Sequence, residues 1–134
     1  MIPVVLRITR HGTESDRLAA FKAVFGPEEV TVVCEDVRYN GDPAGAIRTV
    51  IDRIELDGER KVVAIDPIAP LDLLQKIVDG RDRLGDVLIL RAMHKRDPET
   101  GRVVVTGRDP QGRELLAFSH YEVLEQIVIR TRPL

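Results

Sequence analysis

Residues 61–67, Lys-Val-Val-Ala-Ile-Asp-Pro, set four consecutive apolar side chains between a charge and an Asp-Pro step. A short run that is apolar on every side suits a central strand of a parallel sheet, covered by helices on both faces. On its N-terminal side, Asp42-Pro43 caps and opens a helix with Ile47, Val50, Ile51 and Ile54 on one face, and Gly58 closes it. Val30 to Val37 is β-branched and continuous enough for a second strand, and Val4 to Ile8 reads as the first. Between these two, Thr13 begins a helix. Asp16 follows it in a weak capping box, Leu18, Phe21, Val24 and Phe25 recur at helical spacing, and Gly26-Pro27 is the stop.

On the C-terminal side, Pro70 opens a third helix carrying Leu73, Leu74, Ile77 and Val78. Gly85 then precedes a fourth strand, Val87 to Leu90. Strand and helix alternate three times, the pattern of βαβ units in a doubly wound sheet. The first strand is expected to be central, with three helices shared between the two faces. After the fourth strand the pattern changes. Pro98-Glu99-Thr100-Gly101 and Asp109-Pro110-Gln111-Gly112 are turn sequences. Arg102 to Thr106 and Glu114 to Phe118 read as a β-hairpin, and Ile127-Val128-Ile129 as a last strand, giving an antiparallel C-terminal third. No linker or repeat interrupts the chain. The reading is a single α/β domain over residues 1–134: a Rossmann-like, doubly wound, mainly parallel sheet with a C-terminal antiparallel β-hairpin.

Composition narrows the function. The chain has 134 residues, 43% hydrophobic and 31% charged, which a packed core needs and a disordered tail lacks. Its formal charge of -2 predicts neither duplex nucleic acid nor a membrane as partner. The lone Cys34 lies in an apolar run and reads as a small buried residue. The segment Met1 to Arg7 lacks the basic start and apolar length of a signal peptide, which predicts a cytoplasmic protein.

Open α/β sheets bind ligands beyond the C-terminal ends of their strands. The first strand runs out in Thr9-Arg10-His11-Gly12-Thr13, directly before a helix N-terminus, where unpaired N–H groups attract phosphate or carboxylate. The fourth runs out in Arg91-Ala92-Met93-His94-Lys95-Arg96. With strands one and four as neighbours, Arg10, His11, Arg91 and His94 would surround one anion. The competing reading makes the second cluster solvated surface charge. Asp66 is read as a turn cap before Pro67 rather than a base. Gly-rich phosphate loops are absent, and His11, His94 and His120 have no metal-ligand spacing, so neither cofactor nor metal is expected. Ser119-His120 lacks a nucleophile elbow.

Two resemblances follow from these residues. Arg10-His11-Gly12 resembles the Arg-His-Gly motif of histidine phosphatases, and Ala117-Phe118-Ser119-His120 their second histidine segment. The arginine that family carries after its second strand has no counterpart at Asp66-Pro67-Ile68-Ala69-Pro70-Leu71, so this would be a degenerate relative. Thr9-Arg10-His11-Gly12, with a following helix and a short doubly wound core, resembles the small single-domain CRISPR-associated ring nucleases and related mobile-element proteins. That resemblance implies a dimeric, metal-independent phosphodiesterase acting on cyclic oligoadenylates. It implies catalytic roles for His11 and Thr13 and ligand binding by Arg10; Gly12, Arg91 and His94 complete the expected site. Gly12 stands where that family usually has Pro. The expected partners are a small nucleotide-like anion and a second copy of the chain. The alternative from another class is a non-catalytic phage or mobile-element interaction protein whose hairpin contacts its partner.

Overall fold

The computed structural model describes residues 1–26 and 29–134. In chain order the elements are β1 (Ile2–Ile8), α1 (Ser15–Phe25), β2 (Thr31–Glu35), α2 (Pro43–Ile54), β3 (Arg60–Pro67), α3 (Leu71–Asp79), β4 (Leu88–His94), β5 (Val105–Arg108), β6 (Glu114–Leu116) and β7 (Phe118–Val123). The main sheet has five strands in the order β2-β1-β3-β4-β7, and β5 pairs with β6 in a separate hairpin. The first four strands are parallel, and β7 joins β4 antiparallel. The fold is Rossmann-like α/β with an antiparallel addition.

Burial explains the layering. Val4, Leu6, Ile8, Val62, Ile65 and Ile89 point to one face, where Ile47 and Ile51 of α2 and Ile77 of α3 cover them. Val5, Ala64 and Leu90 point to the other, under Phe21 of α1. The run at Val62 is therefore buried on both sides, as its composition demands. Asp42 caps α2 by accepting from the Gly45 amide at 3.3 Å, and Arg83 holds the same carboxylate at 2.7 and 3.0 Å. Pro70 stands at the N-cap of α3.

Several expectations need correction. β1 is an interior strand, but β3 takes the middle place and separates β1 from β4. The assumed neighbourhood of strands one and four does not exist. The Thr13–Asp16 capping box does not form: the N-cap is Glu14, no side chain caps the helix, and the Thr13 hydroxyl is drawn to Arg7 instead. Ile127 to Ile129 form no strand; Leu124 and Ile127 pack against the α2–α3 core, a use of apolar residues that needs no ladder. Cys34 is exposed because β2 is an edge strand and α1 leans toward β7. Gly26 ends α1 at φ 133°, where a side chain would be strained. Pro27, the other half of the expected stop, lies outside the described residues.

A candidate ligand cleft at the switch point of the sheet

The chain leaves β1 for β2 on one side and later returns past β1 to β3 on the other. The strand order thus reverses between β1 and β3, and a crevice opens beyond their C-terminal ends. A β-bulge sets the chemistry there. Val4 pairs with Val62 but Val5 with Ala64, so Val63 is an extra residue in β3. The extra residue inverts the alternation, placing Asp66 beside Arg7 on the α1 face. The Arg7 guanidinium donates from Nε to Asp66 Oδ2 at 3.0 Å, with side chains only 4% and 1% exposed. Asp66 is therefore a buried counterion, where the sequence reads as a turn cap.

The pair anchors everything around it. Arg7 Nη1 donates to the Gly12 carbonyl at 3.0 Å and to Thr13 Oγ1 at 3.1 Å, which pins the β1–α1 loop. Tyr121 of β7 donates its hydroxyl to Asp66 Oδ2 at 2.6 Å. Burial first, and then the Asp66 charge, push the Tyr121 phenol well above its ordinary value, so it remains a donor. Tyr121 stacks on Phe21 at 4.7 Å and packs against Phe118 at 5.0 Å. Arg17 of α1 lies 4.8 Å over the Phe118 ring and pairs with Glu14 at 2.9 Å.

Above this network lies a cleft of about 720 Å³. Arg7, Thr9 and His11 form its floor, Glu14 to Arg17 one wall, and His94 a corner. The N-cap residue Glu14 gives α1 no side-chain cap, and of the first-turn amides that of Arg17 donates to Asp16 Oδ1 at 2.9 Å. The opposite wall is the β5–β6 hairpin, which contributes Asp109, Glu114, Leu115 and Leu116, with Phe118 behind. The α1 wall thus carries the Arg17 guanidinium together with the Glu14 and Asp16 carboxylates, and the hairpin wall adds two further carboxylates and apolar surface. Burial, and then the charges of Arg17, Arg91 and Arg96, hold the His94 imidazole below its usual 6.5, so it is neutral at pH 7.

The expected site residues divide. His11 and His94 line the cleft. Arg10 lines a smaller neighbouring cleft and reaches Asp36 at 4.0 Å. Gly12 and Thr13 serve Arg7 rather than line either cleft. Arg91 leaves the site altogether. It follows Ile89 on the α2–α3 face and pairs in the ladder with Glu122. His120 also lies outside both clefts, its ring between Ser119 Oγ at 2.9 Å and Glu122 at 3.2 Å, so the two histidine segments of a phosphatase do not meet. Sequence reasoning passed over Arg7, Arg17, Phe118 and Tyr121; a charge inside the apolar run Val4–Ile8 was the one visible signal. Among the described residues no three His, Cys, Asp or Glu side chains gather as a metal site would need, and no helix is long and apolar enough to cross a membrane. No family model, curated protein or solved structure matches the chain.

Two outcomes follow from this geometry. Asp66→Asn leaves a buried guanidinium without its counterion and should cost about 3–5 kcal/mol in urea unfolding. Replacing both partners, Arg7→Met with Asp66→Leu, should recover much of that loss; a single-variant cost below about 1 kcal/mol contradicts the anchor. NMR titration should place the His94 midpoint below 6.5. Because the unfolded chain then binds the proton more readily, His94 contributes stability that is complete above about pH 6.5 and lost as pH falls toward its folded midpoint. A His94 midpoint at or above 6.5 contradicts the desolvated setting.

Proposed function

We propose that the protein binds a nucleotide or short oligonucleotide in the switch-point cleft and cleaves a cyclic oligoadenylate without a metal. The observation that carries this reading is the meeting of Arg7, Arg17, Thr9, His11 and His94 at the uncapped start of α1. Helix N-terminal amides and guanidinium groups suit a phosphate. Asp109 and Glu114 on the hairpin suit ribose hydroxyls, and Leu115 and Leu116 suit the face of a base. A nucleotide presents these three chemistries in that order.

In the reaction, neutral His94 takes the proton of a ribose 2′-OH, whose oxygen attacks the adjacent phosphorus. The bond from phosphorus to the 5′-oxygen breaks, His11 supplies that oxygen with a proton, and a 2′,3′-cyclic phosphate remains. Arg17 and the α1 amides take up the charge that develops on the phosphoryl oxygens. Thr13 acts through Arg7 and is a positioning residue. A homodimer belongs to the same reading. An antiparallel copy of edge strand β7, centred on Tyr121, would bring His120 of one chain opposite Glu122 of the other.

The test is incubation with cyclic tri-, tetra- and hexa-adenylate in EDTA, with products followed by chromatography and the sample mass by light scattering. Cleavage should occur, His11→Ala should slow it at least about a hundredfold, and the mass should be twice the 15.0 kDa of one chain. Tight binding without cleavage would point to sequestration by the same cleft. Neither binding nor cleavage would favour an interaction protein, for which the hairpin's exposed Val104, Val105, Leu115 and Leu116 are the natural contact.

A further inference from the structure

The main cleft does not end at His11. A second cleft of about 260 Å³ begins on the other side of the β1–α1 loop and shares Thr9, His11 and Ile68 with the first. Three separate segments supply its polar groups: Arg10 after β1, Asp36 and Tyr39 after β2, and Arg113 from the tip of the β5–β6 hairpin. The Arg113 guanidinium is exposed and makes no hydrogen bond or ion pair among the described residues. Arg10 is 73% exposed, and its ion pair with Asp36 is stretched to 4.0 Å. Among the described residues the buried Tyr39 hydroxyl has no partner. Burial, and then the charge of Asp36, raise its pKa, so it stays protonated and able to donate.

Charge separates the two clefts. The first is lined by Arg7 and Arg17 against Glu14, Asp16, Asp109 and Glu114, a formal excess of carboxylate. The second is lined by Arg10 and Arg113 against Asp36 alone, an excess of cation. An exposed arginine from the β1–α1 loop and another from the hairpin, with one carboxylate in the same cleft, leave donors for an added anion.

We infer that the second cleft is a phosphoryl subsite, so that the ligand carries a phosphate on each side of His11 and is an oligonucleotide rather than a mononucleotide. This rests on the nucleotide-binding reading above and specifies its substrate. Arg10 and Arg113 grip the outer phosphate, and Tyr39 offers a further donor once its ring shifts. The shared His11 then stands between the two phosphates, beside the nucleoside that joins them.

Calorimetric titration with adenosine 5′-monophosphate and with linear 5′-phosphorylated diadenylate tests this. The dinucleotide should bind at least about tenfold more tightly, the gain expected from added charge-assisted contacts. Arg113→Ala and Arg10→Ala should remove most of that advantage while leaving the mononucleotide affinity within about twofold, since neither residue lines the first cleft. Arg113→Lys should restore part of the advantage. Both probes binding, with a ratio that neither alanine variant changes, overturns the second subsite alone. Failure of both probes to bind overturns the nucleotide reading and this inference with it.

Discussion

A buried guanidinium–carboxylate contact between adjacent parallel strands organises this molecule. Arg7 and Asp66 sit side by side where the strand order reverses, and both are nearly free of solvent. Each ion alone would be costly to bury; together, with Tyr121 and the Gly12 carbonyl taking further valences, they become a fixed point. The β1–α1 loop, the start of α1 and the antiparallel strand β7 all register on that point. The β1–α1 loop is thus tied to a buried side chain of the sheet where it floors the cleft.

The antiparallel third of the chain has a clear task in this arrangement. β7 delivers Tyr121 and Phe118 to the network, and the β5–β6 hairpin stands over the crevice as its outer wall. A parallel sheet with helices on both faces leaves the switch point open at the top. Here the hairpin narrows that opening and brings carboxylates, leucines and Arg113 against the side formed by the β1–α1 loop and the start of α1. The junction is stiffened by backbone hydrogen bonds among Lys95, Val104 and Ala117 at 2.8–2.9 Å.

Much of the architecture was legible because it follows from burial. Val62 to Ile65 must be covered on both faces, and Ile47, Val50, Ile51 and Ile54 must face the sheet, so the alternation of elements could be read directly. The strand order could not, since it depends on which crossovers pack best over whole faces; of Arg10, His11, Arg91 and His94, expected around one anion, only His11 and His94 line the main cleft. Nor could the central ion pair. Strict alternation along β3 would have sent Asp66 to the α2–α3 face, and only the extra residue Val63 turns it toward Arg7. The Thr9–His11 segment was visible as a candidate because its position before a helix needs no long-range information. Arg17 and Tyr121, far apart in sequence, meet only after the sheet has closed.

In the proposed function, the floor and wall anchored by Arg7 hold a nucleotide. Amide chemical-shift mapping during titration with cyclic tetra-adenylate tests it most directly. Saturable shifts concentrated on Thr9 to Arg17 and His94, with the α2–α3 face silent, are the predicted result. Saturable shifts confined to the α2–α3 face, or none at all at high ligand concentration, would contradict it.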